Sequence, residues 1–187
     1  MQTRASDVEM KLTELHKTTQ FYLNELKEAV SRQISHYECI SYFTYALHLS
    51  NEQTEESFCL GSFHMLNLGN QPITNPFIDI TISEEALFSF HGKFTNNRNT
   101  LSPSLTNGWE RVNDRSNRHK FRLKPIGITN IPPGETISFS NFQLSWHPQI
   151  SYSGSMTGTF FSDQHPEGKA ALNSININGT SGSREEE

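Results

Sequence analysis

The sequence predicts a mainly β protein, an antiparallel β-sandwich that follows a long N-terminal α-helix. Up to about residue 38, apolar residues recur every three or four positions, which is the period of an amphipathic helix. Beyond Cys39 they recur at every second position, in short runs separated by turn residues, which is typical of β-strands. A chain of 187 residues is long enough for one domain with a core and an appended helix, but short for two large domains.

The helix is predicted to span residues 6–38, where no Gly or Pro interrupts it. It is expected to begin at Ser6, because Ser6 and Glu9 have the spacing of a capping box, in which each side chain bonds to the backbone of the other residue. Its apolar stripe keeps the seven-residue period of a coiled coil. The stripe consists of Val8, Leu12, Leu15, Tyr22, Leu26 and Ala29.

A helix with such a stripe is unstable alone in water unless a partner covers its apolar side. Two partners fit: the same stripe on another copy, which would give a dimer or trimer through the N-terminal helix, or the chain's own β-domain. The seven-residue period favours the coiled coil, so the stripe residues are the predicted oligomerisation contacts. Thr19 is the polar exception within the stripe and is expected to weaken the bundle.

Strand-period runs between residues 39 and 177 predict a β-sandwich head of eight or nine strands. The first two flank an acidic turn at residues 51–56 and so form a hairpin. The predicted strands are Ile40–Leu49, Phe58–Leu68, Phe77–Ile82, Leu87–Phe94, a strand from Trp109, Phe121–Ile131, Thr136–Trp146, Met156–Phe161 and Leu172–Ile177. In Thr136–Trp146 the apolar alternation slips once, at Ser140 and Asn141, which predicts a β-bulge. Because no second helical pattern separates these strands, they are typical of an antiparallel sandwich or barrel, and we favour the sandwich.

Two turn sequences of the head resemble those of a known family. Asn67–Pro72, after one strand, and Ile131–Thr136, before another, resemble the immunoglobulin-like cell-adhesion-related domains of bacteria, often called the CARDB type. The resemblance covers roughly residues 57–146 and implies an immunoglobulin-like sandwich. Further strings look like those of uncharacterised proteins of spore-forming Gram-positive bacteria, which implies a surface or interaction module and transfers no functional residue. These strings are Tyr42–Tyr45, Gly61–His64, Gly108–Arg111 and Ser138–Phe142.

Charge and cysteine usage constrain the location of the protein. The formal net charge of -5 arises partly from Glu185–Glu187, in a stretch of residues 178–187 that is predicted to be a disordered acidic tail. Cys39 and Cys59 are expected at different heights of the first hairpin, so we expect no disulfide. The sequence shows no signal-like segment and no run of apolar residues that could span a membrane. The default location is therefore the cytoplasm, although assembly or lysis could bring such a protein to a spore or phage particle surface.

The stretch from Lys93 to Lys124 is basic, with eight Lys or Arg against Glu110 and Asp114. Aromatic residues are interleaved with these cations, as on surfaces that bind single-stranded nucleic acid. A simpler interpretation is a solvated loop whose aromatic neighbours point into the core. A third is pairing with an acidic partner, such as the Glu185–Glu187 tail or an anionic surface polymer. The candidate anion-binding residues are Arg111, Arg115, Arg118, Lys120 and Arg122.

Motifs for catalysis, metals and cofactors do not occur in recognisable form. The eight histidines lack paired ligand spacing, and the turn Ser162–Gly168 lacks the alternating carboxylates of a calcium loop. Gly154–Gly158 has methionine where a nucleophile elbow has serine. We therefore expect no metal, no cofactor and no enzymatic activity. The predicted function is that of a structural or interaction protein, a homo-oligomeric stem displaying a β-sandwich that binds an unknown protein or surface polymer. A nucleic-acid-binding module is the alternative, and a hydrolase is less favoured.

Overall fold

The computed structural model describes residues 2–31, 35–50, 52, 54–95, 108–148 and 151–180, and of residues 2–9 and 31 the backbone alone. Over this part of the chain the protein is mainly β, with one N-terminal helix and several sheets, which confirms the predicted class at that level. The chain divides into two compact units, Met1–Ser35 and His36–Glu187. No helix among the described residues is long and apolar enough to cross a membrane.

The first unit contains the helix α1, which spans Gln2–Ser31 and so differs at both ends from the predicted range of 6–38. At the start, Ser6 lies inside the helix and does not cap it, because the preceding residues include the good helix formers Gln, Arg and Ala. At the end, the backbone of residues 36–38 bonds to a loop of the second unit, to which these residues belong. Leu68 N–H donates to Glu38 O (2.8 Å) and Asn70 N–H donates to His36 O (3.0 Å). These bonds join residues 36 and 38 to the loop, and residues 35–38 are not helical.

The second unit, which we call the head, consists of strands. Its strands within the described residues are β1 Cys39–His48, β2 Ser57–Asn67, β3 Ile73–Thr74, β4 Phe77–Ile82, β5 Ser89–His91, β6 Phe94–Thr95, β7 Trp109–Arg111, β8 Lys120–Pro125, β9 Asn130–Ile131, β10 Thr136–Trp146, β11 Tyr152–Ser162, β12 His165–Ala170 and β13 Ile175–Gly179.

A four-stranded sheet has the order β1-β2-β10-β5, with all of its neighbours antiparallel. The predicted hairpin is confirmed, since Cys39 lies opposite Asn67 and His48 lies opposite Phe58. The predicted bulge is also confirmed, because the register of β10 on β2 shifts between Phe139 and Phe142. Asn141, inside the bulge, has a φ of 59°, a left-handed conformation that Asn tolerates better than most residues.

A seven-stranded sheet has the order β12-β11-β4-β8-β7-β6, and β13 pairs with the first half of β11. Its neighbours are antiparallel except β6 and β7, which run parallel. The short strands β3 and β9 form a separate antiparallel pair.

Several strand predictions need correction. The segment Ser162–Gly168, predicted as a turn, contributes to β12, an edge strand without apolar alternation that is defined by its pairing with β11. The predicted strand Leu87–Phe94 is divided into β5 and β6 at Gly92, where an added Cβ would lie 2.5 Å from the ring of Phe139. Phe121–Ile131 is likewise divided into β8 and β9, with Gly127 at a φ of 77° between them.

The head extends beyond residue 177, where the acidic tail was predicted to begin. Asn178 and Gly179 belong to β13 and lie opposite Ser153 and Tyr152. The Ser153 hydroxyl also donates to Asn178 Oδ1 (2.7 Å). The remainder of the predicted tail, residues 181–187, lies outside the described residues.

The core of the head lies between the four-stranded and seven-stranded sheets. Phe90 of β5 contacts Phe121 of β8, with ring centroids 4.6 Å apart. Phe63 of β2 reaches Gly158 of β11, where an added Cβ would lie only 2.3 Å from the ring. Glycine is therefore required at position 158 because the aromatic ring occupies the space that a side chain would need.

One side of the core is closed by residues 171–173, which follow β12. Ala171 N–H donates to Gly158 O (2.9 Å) in β11, and Leu172 N–H donates to Ser41 O (2.8 Å) in β1. This segment therefore links the edge of the four-stranded sheet to the seven-stranded sheet, and it covers only the first half of β1.

Candidate interaction surfaces

The stripe of α1 is solvent-exposed. Leu12 is 54% exposed, and Leu15, Tyr22 and Leu26 are each 63% exposed. Ala29 is exposed as well, while the side chain of Val8 lies outside the described residues. Within the described residues of the first unit, α1 is the only element, so this part of the unit offers no second element against which the stripe could pack.

A shallow groove confirms that the second half of the stripe lies on one face of α1. Its lining residues are Thr19, Tyr22, Leu23, Glu25, Leu26 and Ala29. The Thr19 hydroxyl donates to Leu15 O (2.8 Å), one turn earlier. Thr19 therefore satisfies its own polar group within the helix and could be covered by an apolar partner without leaving an unpaired donor.

On the seven-stranded sheet, Arg122 of the basic stretch forms a salt bridge with a buried carboxylate. Its Nε and Nη2 donate to Asp79 Oδ1 and Oδ2, each at 2.7 Å, in the bidentate geometry that makes such pairs strong. Asp79 is only 4% exposed, and Lys120 Nζ approaches its Oδ2 at 3.4 Å. The hydrogen bonds that Arg122 donates to Asp79 raise the pKa of Arg122. Arg122 thus compensates an internal charge, and Lys120 shares that charge.

Arg111 of the basic stretch organises the loop between β7 and β8. Its Nη2 donates to the carbonyl oxygens of Asp114 (3.0 Å), Asn117 and Lys120 (3.1 Å), and its guanidinium lies 4.3 Å from the ring centroid of Phe121. Desolvation by burial lowers the pKa of Arg111. The Arg111 side chain therefore stabilises the loop through these hydrogen bonds and is not directed to an external anion.

The structure does not gather the five candidate anion-binding residues into one open site. Arg111, Lys120 and Arg122 have the internal partners described above, whereas Arg115 and Arg118 are exposed on the loop. The interleaved aromatics Trp109 and Phe121 are only 5% and 6% exposed, so neither can stack on a base without leaving the core. Anion binding by the exposed arginines stays a prediction.

A polar cluster that the sequence did not reveal lies on the outer face of the four-stranded sheet. His64 of β2 is hydrogen-bonded through Nε2 to the Thr44 hydroxyl and through Nδ1 to the Ser138 hydroxyl, each at 2.8 Å. Tyr42 packs beside it, with ring centroids 5.0 Å apart. Partial burial lowers the pKa of His64, because desolvation disfavours the charged ring.

The His64 cluster contains a serine and a histidine in contact, which is one requirement for a nucleophile. The group that orients His64 is a threonine, however, and the surrounding backbone N–H groups belong to the β1-β2-β10 ladders, where they cannot bind an oxyanion. The cluster is therefore best described as a cross-strand polar network. Only the pair register, which places Ser138 opposite His64, could have revealed it.

The cysteines and metal-ligating residues are not assembled for chemistry. Cys39 and Cys59 are buried and free, and burial raises the pKa of the Cys39 thiol to about 12 and that of Cys59 to about 11. Such thiols are poor nucleophiles and poor metal ligands at neutral pH. Among the residues that the structure describes, no three His, Cys, Asp or Glu side chains lie together as a metal site would require.

Two of the cavities that open on the described part of the head differ in size and lining. The smaller, about 210 Å³, is lined by aromatic side chains at one end of the core, among them Phe88, Trp146 and Tyr152. The larger, about 440 Å³, has Lys93 and Trp109 in its lining together with hydroxyl groups of β10. Only the larger reaches the size of typical ligand pockets, roughly 300–1,000 Å³. Its lining has one charged side chain, Lys93, and no acid–base pair.

No protein-family model and no curated protein matches the chain. Among solved structures, it is similar to a GH20 exo β-N-acetylglucosaminidase from Vibrio harveyi, with 11% identity, a TM-score of 0.31, and coverage of 75% of this chain and 17% of that chain. It is also similar to a Northeast Structural Genomics Consortium target, SoR45, with 16% identity, a TM-score of 0.34, and coverage of 81% of this chain and 92% of that chain. The chain thus spans less than a fifth of the length of the enzyme. Similarities as distant as these carry no argument about function.

Proposed function

We propose that the protein is a non-enzymatic structural or interaction protein that self-associates through a coiled coil of α1 and displays its head as an immunoglobulin-like β-sandwich. The observation that carries this proposal is that α1, at 30 residues, forms a unit by itself with an exposed apolar stripe. An isolated helix of this kind is marginal in water, so a second apolar surface is needed to stabilise it.

The stripe itself supports the choice of another copy as this surface. Burying one Leu side chain contributes about 1.5–3 kcal/mol, and the seven-residue spacing brings equivalent residues of parallel helices into contact. Leu12, Leu15 and Leu26 together would therefore give self-association without any polar contact. Two or three joined copies would also bind a common surface more tightly than one, because the second head binds at a high effective concentration.

The classification of the head as immunoglobulin-like is supported by the way its two resembling turns meet. Asn67 is fully buried and donates through Nδ2 to Gln71 O and to Ile131 O, each at 2.8 Å. Its backbone oxygen accepts from Gly134 N–H (2.9 Å). One asparagine thus joins Asn67–Pro72 to Ile131–Thr136, the two sequences that resemble the bacterial adhesion-related domains.

The test is the molar mass of the full chain in solution, measured by light scattering over a range of concentrations. We expect a dimer or trimer for the wild type. The double variant Leu15→Glu, Leu26→Glu should lose the association made through α1 and have a lower molar mass than the wild type at the same concentration, because charges in the stripe cannot be buried. The control is Gln20→Glu, Asn24→Glu, which adds the same charge to α1 outside the stripe and should leave the oligomer intact. A monomeric wild type at micromolar concentration would refute the proposal.

A further inference from the structure

Among the described residues, other segments cover the first half of the edge strand β1 and leave its second half open. Leu172 N–H bonds to Ser41 O, and the Asn173 side chain bonds to both Phe43 N–H (2.7 Å) and Phe43 O (3.0 Å). These contacts show that odd-numbered residues of β1 direct their backbone polar groups away from β2. Since those groups alternate along a strand, Tyr45 and Leu47 direct theirs to the same side. Within the described residues, no segment binds them there.

The side chains of this open half are those of an unprotected edge. Tyr45 is 43% exposed and Leu47 is 45% exposed, and every residue from Thr44 to His48 is exposed. Proteins normally protect an edge strand with Lys, Pro or a bulge, but the segment 44–48 has none of these and carries no carboxylate or lysine. An edge with free backbone groups and apolar side chains is suited to pairing with another strand.

We propose that the open half of β1 pairs antiparallel with the same segment of a second copy of this chain, with Ala46 at the twofold axis. Tyr45 of each copy then lies opposite Leu47 of the other, and these two residue pairs exchange backbone hydrogen bonds. The four-stranded sheets of the two copies become one continuous sheet. This interface lies in the head and goes beyond the proposed coiled coil, on which it does not depend.

The properties of the segment favour a second copy as its occupant, because the segment is complementary to itself. On one face, each exposed Tyr45 meets an exposed Leu47, an aromatic–aliphatic pair of the kind that stabilises antiparallel strands. On the other face, Ala46 lies beside Leu60 of β2, which is 48% exposed, so the dyad forms an apolar row of Leu60, Ala46 and their two equivalents. The absence of charge means that two copies approach without like-charge repulsion.

The bonds already made by β1 select this register over its neighbours. A dyad at Tyr45 would place Leu47 opposite Phe43 of the second copy, whose N–H and C=O are already bound by Asn173. A dyad at Leu47 would place Tyr45 opposite Leu49, which lies beyond the end of the strand. A dyad at Ala46 uses only the free groups of Tyr45 and Leu47.

Engineered cysteines test both the contact and the register. In the proposed dimer Ala46 faces its own equivalent in a non-hydrogen-bonded pair, whose Cα separation of about 4.5 Å permits a disulfide. Full-length Ala46→Cys should therefore form a disulfide-linked dimer under mild oxidation. The matched controls Thr44→Cys and His48→Cys lie on the same face, opposite each other across the dyad, and should not link to themselves. A mixture of these two variants, one carrying a mass tag, should link as a heterodimer.

The same experiment separates this interface from the coiled coil. In the Leu15→Glu, Leu26→Glu background, raising the protein concentration should restore the yield of linked Ala46→Cys, and the dependence of linkage on the cysteine position should persist. The native cysteines are buried and do not compete. If Thr44→Cys by itself forms as much linked dimer as Ala46→Cys, the linkage comes from random collision and the proposal is overturned. The proposal is also overturned if folded Ala46→Cys forms no linked dimer. If light scattering shows that the wild type is oligomeric but the cysteine variants do not link in the expected pairs, the edge pairing is rejected and the coiled coil is not.

Discussion

The head and α1 expose their large apolar side chains to very different degrees. In the head, Phe63, Phe139 and Phe160 are completely buried between two sheets. In α1, the stripe residues Leu12 and Leu15 are more than half exposed, at 54% and 63%. The comparison shows that the head contains the surfaces needed to bury its own core, whereas the stripe residues of α1 stay exposed. Folding of the head should therefore not require a second copy, whereas folding of α1 should depend on protein concentration.

The largest effect is expected when an aromatic side chain is removed from the core of the head. Phe63→Ala should lower the free energy of unfolding of the head by about 3–5 kcal/mol, because it leaves a cavity beside Gly158. Both tryptophans of the chain, Trp109 and Trp146, lie in the head, so denaturant unfolding followed by fluorescence reports on the head alone. Leu60→Ala, on the same strand but exposed, should cost far less. Loss of the helical circular dichroism of α1 at the same denaturant concentration would show that the two regions do not fold separately.

A smaller effect is expected when the charge pair on the seven-stranded sheet is broken. Asp79→Asn removes the buried acceptor of Arg122 and should cost about 1–3 kcal/mol of head stability, moderated because water can reach the arginine. Asp163→Asn is a control on an exposed carboxylate that bonds to Thr74 and Asn75. If urea unfolding gives equal losses for the two variants, burial of Asp79 is not the reason for its contribution.

The proposed association through α1 can be tested at Thr19, the polar residue within the stripe. Thr19→Leu should tighten self-association by about tenfold or more, since it completes the apolar stripe and each buried Leu contributes about 1.5–3 kcal/mol. Gln20→Leu places the same side chain beside the stripe and is the matched control. Sedimentation over a dilution series gives the association constant of each variant. An equal gain for the two variants would mean that general helix hydrophobicity, and not the seam, drives association.

The smallest expected effect is a pH dependence that belongs to the head alone. Because the pKa of His64 is lowered below its ordinary 6.5, the unfolded chain binds this proton more readily than the folded one. Stability is therefore complete above about pH 6.5 and declines as the pH falls below it. His64→Gln should flatten part of this decline in urea midpoints measured at several pH values. Burial also lowers the pKa of His165, so some dependence remains in the variant.

Local patterns were sufficient to predict much of the head. The hairpin of β1 and β2, the range Thr136–Trp146 and the bulge near Asn141 all follow from period-two alternation and turn residues. The strand β12 could not be predicted in this way, because its residues are mostly exposed and its strand conformation comes from pairing with β11. The end of α1 was missed for a related reason, since residues 36–38 are held by loop residues some thirty positions later.

Some features of the candidate sites were likewise predictable from local sequence patterns, and others depended on tertiary contacts. The stripe of α1 was predicted from the sequence because helical neighbours are three or four residues apart and need no tertiary contact to lie on one face. The roles of Arg122 and His64 were decided by tertiary structure alone. Asp79 is 43 residues from Arg122, and Ser138 is 74 residues from His64. By itself the sequence determined periodicity, and hence the helix and the strands. Only the packing and register of the sheets decided which charges are neutralised and which edge stays open, because such contacts join residues whose separation along the chain carries no periodic signal.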